Sequence, residues 1–389
     1  MNQQNSEKRI TPLVSVYLAR AILALLPLIS LPLFLEILGP IKWTQLVLFQ
    51  TIGAVLSLLV DLAWSIDGHG KIEMDGNLIR DVQIQKNAIF LAIVAIVIPI
   101  AIWMEESVSM VSWLGMISVC SMGLSNWWHS LAIGKVRSYI LVELLPRTIP
   151  SLLLLFVIKY EKQISDYFAL MIILNLIFCW RKTDWPNKFS TYIIILSKIL
   201  PRLQLVLWRV LQSSYFLFAL PILSIFNPAA CFSYALVERV YRFSMTATLP
   251  MQDFLILHPP KGKGFMSTWK SMAIFQPITA VAIFLSFSNP LVFKALTGVD
   301  NPSIVLTLWF TILVALVSLN RVLIIRFTKF QLETKSLKKM YLVSSLVFLV
   351  SIYPLTTNLG NYGMVLCSIA AESIFLFYLF RSKTIQEHR

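Results

Sequence analysis

The chain has 389 residues, of which 57% are hydrophobic and 13% charged, with a mean hydropathy of +0.75 and a formal net charge of +14. Soluble domains carry about 25% charged residues, so the composition excludes an ordinary soluble protein. The excess of positive charge would point to nucleic acid in a soluble chain, but here its placement among the loops accounts for it, and no nucleic-acid partner is expected.

Taken in chain order, length and hydropathy predict about twelve helices, over 12–36, 42–66, 87–104, 108–132, 138–158, 164–180, 203–226, 229–256, 268–289, 303–325, 340–356 and 361–380. The polar start Met1–Ile10 is not followed by a small-residue cleavage site, so the first helix is expected to serve as an uncleaved insertion signal. The stretch Phe189–Pro201 fits a span poorly and is read as a candidate amphipathic segment at the surface. The expected fold class is all-α integral membrane, with about twelve transmembrane helices in two six-helix bundles, residues 1–185 and 186–389.

The loops sort by charge. One alternating set carries Lys8, Arg9, Lys71, Arg80, Lys86, Lys135, Arg137, Arg181, Lys182, Lys188, Lys261, Lys263, Lys329, Lys335, Lys338, Lys339, Arg381 and Lys383. The other holds Lys42, the acidic pair Glu105 and Glu106, the mixed Lys159–Asp166 segment, Lys294 with Asp300, and the turn at Asn358. Cytoplasmic loops carry the excess of Lys and Arg. Both termini are therefore expected in the cytoplasm, and the helix count is even. The cluster Pro260-Lys261-Gly262-Lys263-Gly264 lacks the spacing of a phosphate-cradling loop and reads as a basic loop. Cys120, Cys179, Cys231 and Cys367 match no metal motif and are expected as free, buried thiols; His69, His129, His258 and His388 are scattered, and no metal or cofactor is expected.

An internal repeat links the halves. Arg20 is followed by Leu31-Pro32 and Gly39-Pro40; Arg209 is followed by Leu220-Pro221 and Asn227-Pro228, at an offset of 189 residues that shortens by one before the last proline. Repeats of six helices share orientation, so the bundles are expected to be related by a pseudo-two-fold axis along the membrane normal, with a substrate site between them.

Arg20, Asp61, Glu143, Arg147, Arg209, Glu238, Arg239, Arg242, Arg321 and Glu372 fall within or near the predicted spans. A charge at a helix centre costs about 2.5–3.5 kcal/mol on insertion scales, so each needs a partner or water. Glu143/Arg147 and Glu238/Arg242 are spaced i,i+4 with the acid first, the better orientation for a pair on one helix face. Arg321 lies close enough to its helix end to snorkel. Asp61 is placed to pair with Arg20. Arg20, Arg209 and Arg239 have no acid three or four residues away. Arg20 and Arg209 lie about 10–12 Å deep in helices entering from the cytoplasm. Facing inward they would line a cationic cavity suited to phosphate, since arginine stays charged and binds phosphate bidentately; the competing reading gives them packing roles or pairs them with Asp61 and Glu372.

The segments Leu38-Gly39-Pro40, Asp61-Leu62-Ala63-Trp64-Ser65 before Gly68-His69-Gly70-Lys71, Trp127-Trp128 before Gly134-Lys135-Val136, and Ser233-Tyr234-Ala235 through Glu238-Arg239 to Pro250 resemble, in order and spacing, segments of Wzx-type polysaccharide flippases. Those proteins belong to the multidrug/oligosaccharidyl-lipid/polysaccharide superfamily. Ser65, His69 and Gly70 depart from the pattern, which bears on the end of the second helix, and the last 130 or so residues match in hydropathy alone. The resemblance implies alternating access in the bacterial cytoplasmic membrane and an undecaprenyl-diphosphate-linked oligosaccharide as cargo, for O-antigen, capsule or exopolysaccharide. Other membrane proteins of polysaccharide assembly are implied partners.

On this reading the protein is not an enzyme. Substrate-binding candidates are Arg20, Arg147, Arg209, Arg239 and Arg242. Asp61, Glu143, Glu238 and Glu372 are candidates for pairing or for coupling to H+ or Na+; the first three have plausible basic partners, and Glu372 is singled out for coupling. The alternatives are a cation-coupled multidrug exporter, which needs carboxylates in its cavity, and a membrane polymerase or ligase acting on lipid-linked sugars, which the short outer loops disfavour.

Overall fold

The computed structural model describes residues 18–64, 78–104, 107–132, 136–157, 159–180, 189–257, 263–300, 303–330 and 334–387. Every regular element among them is helical. Seven of the helices are long and apolar enough to cross a membrane, the property of a multi-pass membrane chain. The chain divides into two compact units, residues 1–26 with 33–210 and residues 27–32 with 211–389.

The first unit opens with α1 (Leu18–Ile29), and a turn at Ser30 leads to α2 (Leu31–Asp61). Within α2 the helix is broken at Gly39, whose φ of 68° and ψ of 169° are reached without strain only by glycine. Pro40 then starts the next arm, where its missing N–H costs nothing. The sequence places a break between 36 and 42, and Gly39-Pro40 supplies it. Next come α3 (Leu78–Trp103), α4 (Met110–Ser121), α5 (Trp127–Ala132), and α6 (Val136–Tyr139). A single π-helical stretch, Ile140–Leu144, runs into α7 (Leu145–Val157), and α8 (Glu161–Trp180) follows.

α3 begins nine residues earlier than the expected 87, because Ile79, Val82 and Ile84 pack inward and carry the helix past the polar side chains between them. The α2–α4 contact is built on small residues. A methyl group added at Gly53 would lie 2.4 Å from the Met116 carbonyl oxygen, and one at Gly115 would lie 2.4 Å from Leu46 Cδ1. Such close approach is how helices associate where lipid removes the hydrophobic drive.

The stretch Phe189–Phe226 is helical but repeatedly broken: α9 (Phe189–Ser197), α10 (Ile199–Gln212), α11 (Ser214–Leu217) and α12 (Ala219–Phe226). The boundary between the units falls within it, after Val210. Asn227 and Pro228 end α12, as Gly39-Pro40 breaks α2. The second unit continues with α13 (Cys231–Leu257), α14 (Lys263–Ser288), α15 (Pro290–Thr297), α16 (Ile304–Phe330), α17 (Thr334–Leu359) and α18 (Asn361–Glu387). α15 lies where the sequence reading had only a loop. It is a short helix capped by Asn289, whose side chain accepts from the Leu291 N–H at 3.1 Å, with Pro290 at its first position and Gly298 in the left-handed conformation at its end. An aromatic core of Tyr234, Tyr241, Phe284 and Phe310 joins α13, α14 and α16 at centroid distances of 5.5–6.3 Å.

Candidate functional site: charges buried among the helices

In the first unit, Glu143 sits in the π-helical stretch and Arg147 on the following turn. Their ion pair is 2.9 Å long, with the acid 7% and the arginine 24% exposed. In the second unit, Glu238 and Arg242 on α13 repeat this arrangement at 2.7 Å, with side-chain exposures of 3% and 35%. Arg242 donates through both Nε and Nη2 to Glu238 Oε1. The i,i+4 spacing read from the sequence thus yields two real pairs. In each, the carboxylate is the buried member and the guanidinium the more accessible one. A cation meets each buried carboxylate, and Arg242 adds two hydrogen bonds to Glu238, whereas Glu143 Oε1 has no hydrogen-bond partner.

Asp61 ends α2 and forms a 2.9 Å ion pair with Lys86, whose ammonium also donates to the Ser125 carbonyl at 2.8 Å. The lysine side chain is 0% exposed. This corrects the reading of Lys86 as a cytoplasmic loop charge and adds a partner for Asp61 beyond the Arg20 expected from sequence. The physical reason is the early start of α3, which carries residues 82–87 into the packed interior. Around the pair runs a chain of amides: Asn126 Nδ2 donates to Gln83 Oε1 at 2.7 Å, and Gln83 Nε2 to Asn87 Oδ1 at 3.0 Å. Leu62 and Ala63 take positive φ values of 51° and 56°, turning the chain out of α2 at the segment that carries part of the family resemblance. The Leu62 carbonyl accepts from Arg202 Nε at 3.2 Å, and the Arg202 guanidinium lies 3.3 Å from the centroid of Trp64. Trp64 in turn stacks on Trp128 at 6.2 Å.

Arg20, half-buried on α1, lies over the Trp127 ring at 4.9 Å. This cation–π contact joins two segments singled out in the sequence. The side chain of Arg209 lies outside the described residues, as do Ser65–Lys71, Lys135, His69, His258, His388 and both termini. Arg239 is half-buried on α13 beside Glu238.

Glu372 on α18 is 3% exposed and held by two neutral groups. Tyr215 on α11 donates its hydroxyl to Oε1 at 2.6 Å, and Asn320 on α16 donates to Oε2 and to the Glu372 carbonyl. Arg321 lies within electrostatic reach of both Glu372 and Tyr241, and Tyr241 of Glu238 and Arg242 as well. Glu372, Tyr215 and Asn320 thus form one buried polar cluster in the second unit. Tyr215 and Asn320 escaped the sequence reading because neither residue type is unusual in an apolar helix and both contacts are long-range.

Charges expected on the base-poor side pair with one another at the surface: Lys42 with Glu161 at 2.6 Å and Lys294 with Asp300 at 2.9 Å. The four cysteines are buried and free. His129 makes an edge contact with Trp128 at 6.1 Å. Among the described residues no three His, Cys, Asp or Glu side chains converge as a metal site would require.

No protein-family model matches the chain, and no curated protein does. Among solved structures, it is similar to a MATE chain crystallised in complex with Br-NRF, at 11% identity over 97% of this chain and 93% of that one, with a TM-score of 0.40. At that degree of likeness two chains need share neither cargo nor mechanism.

Proposed function

We propose that the protein is a flippase of the bacterial cytoplasmic membrane. It carries an undecaprenyl-diphosphate-linked oligosaccharide to the outer leaflet by alternating access, without covalent chemistry. The observation that carries this reading is the matched orientation of the two glutamate–arginine pairs. Glu143 and Glu238 are buried, while Arg147 and Arg242 keep 24% and 35% of their side chains accessible. An accessible guanidinium within hydrocarbon depth requires water or an anion, and diphosphate is the anion that its two-pronged donor geometry fits. A cation exporter needs the reverse arrangement, with acids turned outward. On this reading α1 counts with the first arm of α2, α4 with α5, α6 with α7, and α10 through α12 as single passes, for about twelve in all.

Glu372 is the coupling candidate on this reading. A buried carboxylate held by two neutral hydrogen-bond donors can take up a proton without breaking an ion pair.

The test is translocation of a polyprenyl-diphosphate glycan by the purified protein in liposomes. Arg147→Lys and Arg242→Lys keep each ion pair but lose the planar fork. Together they are expected to slow transport about tenfold or more, a factor of ten being the size of one lost charge-assisted hydrogen bond, with the protein still folded. Replacing Arg20 and Arg209 by Ala is expected to slow it further; full-rate transport with both gone would overturn the cationic path. In the same assay Glu372→Gln should abolish dependence on an ion gradient, and fast gradient-driven transport by that variant removes Glu372 from the coupling role.

A further inference from the structure

α9 is a nine-residue helix, about 13 Å long and too short to cross a bilayer. It is nonetheless strongly apolar on its accessible surface. Ile193, Ile194 and Leu196 are 56%, 60% and 37% exposed, and Leu200 just beyond it is 75% exposed, whereas Ile195 is turned inward at 2%. Its depth is set by what it touches. The Ile195 carbonyl accepts from Gln85 Nε2 at 2.9 Å, and Lys198 approaches Asp81 at 3.5 Å. Gln85 and Asp81 are one turn apart on the polar end of α3, which also carries Arg80, Gln83 and Lys86. The uncharged apolar run of α3 follows from Ala88 to Trp103, about 24 Å long. The end of α9 is therefore level with the polar end of α3, next to the start of its apolar run. The following helix fixes this position: Arg202 on α10 bonds the Leu62 carbonyl and stacks on Trp64.

The charge beside this apolar face is positive. Asp81 is shared by Arg80 at 3.3 Å and Lys198 at 3.5 Å, which leaves one positive charge uncompensated, and the Lys198 side chain is 56% exposed. In the sequence, α9 is preceded by Arg181, Lys182 and Lys188 and by one acid, Asp184. Exposed aliphatic side chains at interface depth with lysine at their edge are the pattern of a helix lying in the headgroup region of an anionic leaflet.

We infer that α9 is an interfacial helix that docks onto anionic phospholipid, its isoleucines entering the acyl boundary and Lys198 meeting headgroup phosphate. It moors the first unit to one leaflet at the point where the chain passes toward the second. The inference is independent of what the protein carries.

The test uses full-length protein in nanodiscs of equal parts phosphatidylcholine and phosphatidylglycerol. Spin labels are placed at Ile194→Cys and, as a second position, Leu200→Cys; the native thiols are buried. Oxygen and nickel-chelate collision rates give the depth, expected about 5–10 Å below the phosphates for both labels. Native mass spectrometry after gentle delipidation is expected to find phosphatidylglycerol retained over phosphatidylcholine. Lys198→Glu should reduce that preference about fivefold or more, since each basic residue at such a surface contributes about a factor of five. Labels in bulk water, labels at the bilayer centre, labels shielded from both agents by covering protein, or a preference unchanged in Lys198→Glu would each overturn the inference.

Discussion

Lys86 and Asp61 form a deeply buried ion pair in the first unit, with the ammonium bridging the end of α2 to the Ser125 carbonyl. Losing one member of a buried pair typically costs about 3–5 kcal/mol, because the other charge loses its compensation. Lys86→Met is therefore expected to lower thermal stability in detergent by that order, and Asp61→Asn combined with Lys86→Met should recover much of the loss. A double variant no more stable than the single one would show that the carboxylate is compensated elsewhere. The pairs Glu143/Arg147 and Glu238/Arg242 were legible in the sequence because an i,i+4 relation depends on helix geometry alone. Lys86 was not, because its role depends on where α3 starts. Tyr215 and Asn320 were not, because their contact with Glu372 spans 157 and 52 residues of chain.

At the scale of elements, the places where helices break carry more information than the helices. Gly39-Pro40 breaks α2 and Asn227-Pro228 separates α12 from α13, each with proline opening the next helical arm. These are the two turns that the sequence repeat pairs. Long apolar runs told where most helices lie, since hydropathy alone decides what enters a membrane. α15 was missed because eight residues are too few for a hydropathy signal, although Asn289-Pro290 and Gly298 spell its caps. Close approach of helices is also invisible to hydropathy. Gly53 lets α2 touch the backbone of α4, and a methyl group there would meet the Met116 carbonyl at 2.4 Å. Backbone cannot swing aside as a side chain can, so the helices must separate. Gly53→Ala is expected to destabilise the protein by about 1–3 kcal/mol, the usual cost of overpacking. Unfolding in detergent would read it as a lowered midpoint, whereas an unchanged midpoint would mean that α2 and α4 slide apart freely.

Over the whole molecule, the chain is a multi-pass membrane protein, and each of its two units holds a buried glutamate paired with a more accessible arginine on the same helical face. Composition and hydropathy were enough to read the helical membrane class, and loop charges gave the expected orientation. The central claim is that those arginines serve a lipid-linked diphosphate, and native mass spectrometry of the protein purified from its own membrane tests it most directly. A co-purified mass fitting a polyprenyl-diphosphate oligosaccharide, depleted in the Arg147→Lys/Arg242→Lys variant, is the predicted result. Absence of such a lipid together with binding of added amphipathic cations would contradict the claim and place the protein among cation exporters instead.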